Sequence, residues 1–446
     1  MSLFDKIVSR FNISDTKKKI FKNLYWAVIG KIVTLLGSLL VGIFVARYLG
    51  PEQYGLMNYV ISYVSLFSIL AAFGLDNIEI RELSRNNANK NVIIGTSFYL
   101  KCFLSIVTII IIAITTVIFE ADLYTKIMIG IYSFSVILNS FSVIRNYFTS
   151  IVLNEHVVKA EINRTLIGAG IKVLLLFFHA SLIWFIIAGL FDCILIAGGY
   201  YFVYRSKVGR IKEWKFDKNL AMYLIKQSFP LLLSGAAVII YQRIDQVMIG
   251  NMIDKASVGQ FSVAGKFTEI IIFIPTIMAQ TITPILVRIK ENSVEEYHRK
   301  GQLFLNITVW GSILLAIIVS LFSYWVILWT FGSQYLAAVP VLQIMAFKTV
   351  GMALSSSGGQ LIIIEKIHKY AFIRNILGCG LCIALNLVFI PKYGIIGSAI
   401  VTIVTVFFSG CISNIFIPSY HLILKMQIKA LFLGWKDIIN IKQLFR

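Results

Sequence analysis

The chain of 446 residues is 58% hydrophobic and only 14% charged, with a mean hydropathy of +0.83, which excludes an ordinary soluble domain. Its net charge of +20 invites comparison with nucleic-acid-binding proteins, but the basic residues punctuate apolar segments instead of clustering, so we predict no nucleic-acid partner. The five cysteines lie inside apolar runs, which indicates neither a disulfide framework nor a metal site, and we predict no cofactor.

The first 23 residues contain six lysines and arginines, and no cleavage site of a signal peptide follows them. Phe4, Ile7, Val8 and Phe11 recur at helical spacing among these charges. This pattern favours an amphipathic helix that lies on the cytoplasmic leaflet. A frayed tail is the alternative interpretation.

Twelve apolar segments follow, each long enough to cross a hydrocarbon core of about 30 Å. The expected spans are residues 24–46, 55–74, 93–119, 123–152, 165–179, 181–204, 222–250, 258–287, 302–331, 336–364, 366–391 and 395–424. Only His179, Ala180 and Ser181 separate the fifth span from the sixth. These two spans are therefore either two tight helices or one bent hairpin.

The distribution of lysine and arginine orients the spans, because cytoplasmic loops retain positive charge. With the N-terminus inside, the inner segments hold 28 basic residues and the outer connections hold four. A miscounted span would exchange the sides of every later loop and abolish this bias. We therefore expect both termini in the cytoplasm and a bacterial inner-membrane location.

An internal repeat divides the chain. Residues 155–178 match residues 365–388 at a constant offset of 210, with Arg164 opposite Arg374, and a looser match at an offset of 204 places Gly55 opposite Gly259. An even number of spans gives both halves the same orientation. The expected fold class is an all-α integral membrane protein of about twelve transmembrane helices, in two six-helix halves related by a pseudo-twofold axis along the membrane normal.

The expected organisation has five parts. They are a cytoplasmic basic segment (1–23), an N-terminal six-helix half (24–204), a cytoplasmic linker (205–221), a C-terminal six-helix half (222–424) and a cytoplasmic tail (425–446).

Nine basic residues remain inside the expected spans, opposed by Asp192, Asp245 and Glu269. Each charge that faces lipid costs about 2.5–3.5 kcal/mol, so they cannot all face lipid. Lys226 and Arg374 lie near cytoplasmic ends and are expected to snorkel. Three acids can neutralise at most three of the other seven, so we expect several cations to line a hydrated cavity at the interface of the halves.

Helical spacing refines the candidate set. Lys266 and Glu269 are three residues apart and are expected to pair, whereas Arg243 and Asp245 are two apart and point to different sides. A polar stripe on span two indicates either a cavity wall or close helix packing. The candidate substrate-cavity residues are Lys31, Asn58, Ser62, Arg145, Lys172, Arg243, Asp245, Lys266, Glu269 and Lys348.

Two motifs carry a family resemblance. Residues 45–55 read VARYLGPEQYG and are followed by the sequence FGL at 73–75, and residues 391–399 read PKYGIIGSA. With twelve spans in two halves, these segments resemble the Wzx-type polysaccharide and O-antigen flippases of the multidrug/oligosaccharidyl-lipid/polysaccharide exporter superfamily. The resemblance implies alternating-access translocation of an undecaprenyl-pyrophosphate-linked oligosaccharide from the cytoplasmic to the periplasmic leaflet, through a cavity built largely from spans one, two, seven and eight.

The partners expected on this basis are the lipid-linked oligosaccharide, membrane lipids, a coupling ion (proton or sodium), and a polysaccharide polymerase with its chain-length regulator. Two alternatives remain. A multidrug exporter of the same superfamily shares the fold, although the surplus of cations in the spans disfavours cationic cargo. A polytopic polymerase or glycosyltransferase shares the span count, but such enzymes usually need a sizeable outer loop, and the outer connections are short.

Overall fold

The computed structural model describes residues 15–85, 89–367 and 370–439, and within these ranges the chain forms helices and short connections but no strand. The predicted amphipathic face of residues 1–23 lies outside the described side chains. The helices are α1 Asp15–Ala72, α2 Leu75–Leu83, α3 Lys90–Phe119, α4 Leu123–Ser133, α5 Ser135–Leu138, α6 Ser142–Ser150, α7 Asn154–Phe177, α8 Leu182–Lys207, α9 Lys218–Met252, α10 Lys255–Asn292, α11 Val294–Thr330, α12 Ala338–Met345, α13 Lys348–Ile364, α14 Ala371–Gly410 and α15 His421–Ile439.

In the described part of the chain, nine helical segments are long and apolar enough to cross a membrane. Two of them, 45 and 46 residues long, contain two crossings each, because one crossing needs only about 20 residues. They bend at Gly50 (φ 69°) and Gly394 (φ 59°), in a backbone conformation that favours glycine. The 24-residue α7 is a further crossing whose charged residues exclude it from the nine. The expected twelve spans are thereby confirmed.

Some helix ends differ from the expected span boundaries. α7 begins at Asn154, eleven residues before the expected start of span five, because its charged first turns read as a loop. His179 has a positive φ of 48° and separates α7 from α8, so spans five and six are two helices. Span twelve ends earlier than residue 424: α14 stops at Gly410 and the short 3₁₀ turns Ile412–Phe416 and Pro418–Tyr420 precede α15.

One compact unit comprises the described residues from 15 to 48 and from 63 to 235. Its main apolar core is built from α2, α3, α6, α7 and α8 and includes Trp214 of the linker. The Trp214 ring packs edge-on against Phe98 at 5.1 Å and Tyr204 at 5.4 Å between centroids. The backbone N–H of Asp217 donates to Thr96 Oγ1 at 3.0 Å. The linker is therefore packed against this unit.

The other compact unit comprises residues 49–62 and the described residues from 236 to 439. Its apolar core is built from α10, α11, α13 and α15. Trp310 Nε1 of α11 donates to the Ala430 carbonyl at 2.9 Å, and Asn306 Nδ2 donates to Asp437 Oδ2 at 2.7 Å. Residues of the expected tail thus form a helix that belongs to the core of this unit.

Within the second unit, the part of α1 that follows the bend at Gly50 crosses the start of α10 at two glycines. A Cβ on Gly55 would lie 2.7 Å from the Gly259 backbone nitrogen and would collide with the Lys255 carbonyl, while a Cβ on Gly259 would collide with the Pro51 carbonyl. The contact is reciprocal: Pro51 and Lys255, like Gly55 and Gly259, differ by the repeat offset of 204. Small residues let helix backbones approach this closely in membranes. The family-like motif therefore serves helix packing.

Candidate functional site

Five charged candidate residues lie in the second unit. Arg243 and Asp245 are on α9, Lys266 and Glu269 are on α10, and Lys348 is the first residue of α13. Arg243 Nη2 lies 3.9 Å from Glu269 Oε1, and both side chains are partly exposed. The expected pair of Lys266 with Glu269 is not formed, because Glu269 meets Arg243 of the adjacent helix instead.

The two candidate residues of α9 do point to different sides, as predicted. Arg243 is 38% exposed at its side chain, whereas Asp245 is only 3% exposed as a residue. Lys348, which is half-buried, interacts electrostatically with the carboxylates of Asp245 and Glu269. These side chains give the unit three cations and two carboxylates within three helices.

The Asp245 carboxylate lies in a polar pocket lined by α9 and α14. Asn386 Nδ2 donates to Oδ1 at 2.7 Å and Thr402 Oγ1 donates to Oδ2 at 2.7 Å. Cys382 Sγ lies 3.6 Å from Oδ1. Ser398 and Thr402 are one turn apart on α14, and the buried Ser398 Oγ and Asn386 Oδ1 have no hydrogen-bond partner among the described residues. The Asp245 carboxylate is thus held by neutral donors, namely an amide, a hydroxyl and a thiol.

Sequence reasoning missed the partners of Asp245. Asn386 and Thr402 are 141 and 157 residues away and were each read as one polar residue in an apolar span. The available signal was a buried amide and hydroxyl at membrane depth, which need a partner there. Among the residues that the structure describes, no three His, Cys, Asp or Glu side chains converge as a metal-ligand set.

The two polar candidates of span two are buried in the second unit. Asn58, 9% exposed, donates through Nδ2 to the Tyr54 carbonyl of its own helix at 2.8 Å. Ser62, 1% exposed, donates to Gln246 Oε1 of α9 at 2.5 Å. These contacts favour the interpretation that the stripe supports helix packing.

Two of the three candidates in the first unit have acidic partners. Arg145 Nε lies 3.2 Å from Glu161 Oε1, and Lys172 Nζ lies 2.5 Å from Asp192 Oδ2. Glu161 precedes the expected span five and was not counted as an available acid. The expectation that only three acids are available to neutralise seven cations was therefore wrong. Lys31 is exposed on α1 and forms no ion pair with a described residue.

A further cluster of this unit surrounds Lys101, which was not a candidate. Lys101 is 2% exposed, and its Nζ lies 2.8 Å from Asp76 Oδ1, 2.9 Å from Glu79 Oε1 and 3.1 Å from Ser142 Oγ. Asn146 Nδ2 donates to Asp76 Oδ1 at 2.8 Å and to Glu79 Oε2 at 2.6 Å. Asp76 and Glu79 belong to α2, between the spans, and their partners tie α2 to α3 and α6.

Burial opposes ionisation of both α2 carboxyls, and the nearby Lys101 ammonium favours it. The pKa of Glu79 is raised above its ordinary value because it is fully buried, whereas the pKa of Asp76 is lowered because Lys101 and Asn146 outweigh its burial. A cavity of about 180 Å³ lies beside Lys101 and Asp76 and is lined by four serines, Ser68, Ser105, Ser140 and Ser142. We interpret this cluster as structural, since each member has partners.

The two residues expected to snorkel differ. Lys226 is exposed on α9, but Arg374 is 7% exposed, so the expectation was wrong for Arg374. Tyr420, which lies just before α15, covers it, with the ring centroid 6.0 Å from the guanidinium carbon. The cover comes from residues expected to cross the membrane as part of span twelve.

A family model described as "Polysaccharide biosynthesis protein" matches residues 20–290. The uncharacterized membrane protein MJ1068 of Methanocaldococcus jannaschii is 23% identical over 419 residues, covering 87% of this chain and 82% of that protein.

Solved structures share the fold. The lipid II flippase MurJ in an inward closed conformation aligns with a TM-score of 0.68 at 15% identity, covering 94% of this chain and 93% of that one. An inward-facing MATE multidrug transporter of the MOP superfamily aligns with a TM-score of 0.65 at 14% identity, covering 92% and 96%. The MATE multidrug transporter DinF-BH aligns with a TM-score of 0.66 at 16% identity, covering 91% and 96%. The chain is thus a multi-pass membrane protein that has the fold of the MOP-superfamily transporters and belongs to the polysaccharide biosynthesis protein family.

Proposed function

We propose that this protein is a flippase that moves an undecaprenyl-pyrophosphate-linked oligosaccharide from the cytoplasmic to the periplasmic leaflet of a bacterial inner membrane. The observation that carries the proposal is the group of cations Arg243, Lys266 and Lys348 on three membrane helices, in a chain of a polysaccharide biosynthesis family. The fold similarity to the lipid II flippase MurJ, whose cargo is also a lipid, supports it.

The chemistry of the cargo matches this group. A diphosphate that leaves water loses its hydration, and cationic side chains replace it with charge-assisted hydrogen bonds. Arg243 and Lys348 each have a carboxylate neighbour, so they bind an anion moderately and can release it. The apolar carrier chain stays in the bilayer while the head group crosses.

The Asp245 pocket provides a place for the coupling ion, a proton or sodium. Its carboxylate is 3% exposed and is held by the hydrogen bonds of Asn386 and Thr402, so binding or loss of a cation changes the charge of α9 two residues from Arg243. Bound cation would weaken the attraction of Asp245 for Lys348. Ion binding and anion binding are thereby linked through electrostatics.

The basic inner loops support an orientation with both termini in the cytoplasm. In the proposed cycle, the two six-helix halves expose the head group alternately to either side. The oligosaccharide delivered outside is the substrate of a polysaccharide polymerase and its chain-length regulator, which are the proposed partners.

The decisive experiment compares cells that lack this protein with cells that express the wild type, Arg243→Ala or Lys266→Ala. We expect the deletion to accumulate a lipid-linked oligosaccharide on the inner leaflet, and each alanine variant to restore export poorly while inserting normally. The matched control is Arg288→Ala, an exposed basic residue on the same helix as Lys266. Wild-type levels of surface glycan in the deletion strain would refute the proposal.

The rival function is multidrug export, which the similarity to DinF-BH and the other MATE transporter favours. The same strains separate the two functions. A multidrug exporter would change the resistance of cells to cationic dyes and leave lipid-linked intermediates unchanged. The cation surplus around Arg243, Lys266 and Lys348 argues for an anionic cargo.

A further inference from the structure

Arg374 is a buried cation without a counter-ion. The residue is 7% exposed, no carboxylate of the described chain forms an ion pair with it, and its Nε has no hydrogen-bond partner there. Its electrostatic neighbours are Tyr420, Tyr241 and Cys411, which are neutral at pH 7. A guanidinium cannot lose its charge in a protein, so it remains a cation that lacks an anion.

The surroundings of Arg374 add further donors. Arg374 is the fourth residue of α14, whose first residue is Ala371, so it lies in the first turn of that helix. The first N–H groups of a helix and its dipole favour an anion at this end. A buried arginine therefore lies within one turn of the first N–H groups of α14.

Arg374 lies near one end of a helix that can cross a membrane. It is the fourth residue of α14, which belongs to a segment long and apolar enough for a crossing, and lipid phosphates lie at the ends of such crossings. The connection before α14 carries Glu365, whose Oε2 lies 2.7 Å from Lys290 Nζ at the end of α10. The Tyr420 ring, 6.0 Å from the guanidinium carbon, closes one face of the site.

The repeat offers a contrast. Arg164, which the sequence match places opposite Arg374, also has a buried Nε without a partner among the described residues. It is only half-buried, however, and Glu161 lies one turn before it on α7. Arg164 thus has an acid nearby and is partly exposed, whereas Arg374 is buried and has no acid nearby among the described residues.

We infer that Arg374 and the N-terminus of α14 bind the phosphate group of a lipid. The guanidinium fork matches two phosphate oxygens, and the helix N-terminus supplies backbone donors. The phosphate can belong to a resident phospholipid or to the diphosphate of the carrier lipid. Only the second source rests on the proposed function.

The test uses the purified, delipidated full-length protein. Native mass spectrometry measures the apparent Kd of phosphatidylglycerol and of undecaprenyl diphosphate, with diacylglycerol and undecaprenol as their phosphate-free counterparts. The variants are R374Q and R374K, and K226Q is the control because Lys226 is an exposed cation. We expect the Kd of a phosphate lipid to rise about tenfold or more in R374Q and less in R374K, and to stay unchanged in K226Q.

The two lipids identify the source of the phosphate. Weaker binding of phosphatidylglycerol alone assigns the site to a phospholipid, and weaker binding of undecaprenyl diphosphate alone, or of both lipids, assigns it to the carrier lipid or to lipid phosphates in general. Unchanged binding of both in R374Q, or equally tight binding of the phosphate-free lipids, overturns the inference. If R374Q aggregates, unchanged binding in R374K overturns it. Because the assay measures binding without transport, a failure here is distinct from a failure of the flippase proposal.

Discussion

Replacement of Gly259 by alanine tests the reciprocal glycine crossing between α1 and α10. The added Cβ would lie closer than 3.0 Å to the Pro51 carbonyl, and a Cβ on Gly55 would lie 2.7 Å from the Gly259 nitrogen and 2.8 Å from the Lys255 carbonyl carbon. All of these are backbone atoms, so only a displacement of the helices relieves the collision. Overpacking of this kind costs about 1–3 kcal/mol.

Gly265→Ala is the matched control on the same helix, because a Cβ there meets nothing within 4 Å. Alanine in a helix interior is favoured over glycine by about 0.5–1 kcal/mol, so the control should be neutral or stabilised. The expected difference between the two variants is thus on the order of 1.5–4 kcal/mol in the free energy of unfolding.

The assay is thermal unfolding of the purified variants in one detergent, followed by size-exclusion chromatography of the heated samples. We expect the unfolding midpoint to be highest for Gly265→Ala, intermediate for the wild type and lowest for Gly259→Ala and Gly55→Ala. Equal midpoints for Gly259→Ala and Gly265→Ala would show that the helices do not approach at this glycine pair, and the reasoning would be refuted.

Three further variants test the charged clusters. Gly168→Ala places a Cβ against Asp192 Oδ1 and should lower the unfolding midpoint by breaking the Lys172 pair, whereas Gly170→Ala, with nothing within 4 Å, should not; equal midpoints would contradict this. Lys101→Met removes the cation beside the buried Glu79 carboxylate and should cost about 3–5 kcal/mol, whereas Lys159→Met, which loses an exposed pair with Glu155, should cost at most about 0.5 kcal/mol in the same unfolding assay. In the wild type, we expect the unfolding midpoint to rise when sodium chloride replaces choline chloride or when the pH is lowered, and Asp245→Asn should abolish that rise. Persistence of the rise in the variant would exclude Asp245 as the ion site.

The number of spans could be predicted because it depends on the local composition of the chain. Residues 123–150 or 338–364 contain enough apolar residues to cross a membrane whether or not the helix is broken. The breaks themselves, as at Phe347 or Asn139, are not determined by hydropathy. Gly50 and Gly394 are the exceptions. Gly50 precedes a proline and Gly394 lies in a short polar break, and both patterns predict the bend that the structure shows.

The contacts of the candidate residues could be predicted only in part. Helical spacing was sufficient to separate Arg243 from Asp245, since direction on one helix is a local property. It failed for Lys266 and Glu269, because Arg243 of another helix competes for the same carboxylate. The contact of Asp245 with Thr402, 157 residues away, could not be predicted, because the sequence does not show which helices are neighbours.

The structure also changes where an anionic head group would bind. In the first unit, Lys101, Arg145 and Lys172 each have a carboxylate within 3.2 Å, so their charges are largely compensated. In the second unit, the carboxylate oxygen nearest to Arg243 is 3.9 Å away and Lys266 has no ion pair among the described residues.

Arg374, in the same second unit, has no carboxylate partner at all among those residues. Apart from the exposed Lys31 and Lys226, the membrane-embedded cations without a close carboxylate therefore lie in the second unit. Because an uncompensated cation at membrane depth is stable only beside water or an anion, neutralising substitutions in the second unit should weaken cargo binding. Those in the first should mainly lower stability, and a transport defect of equal size from both would contradict this assignment.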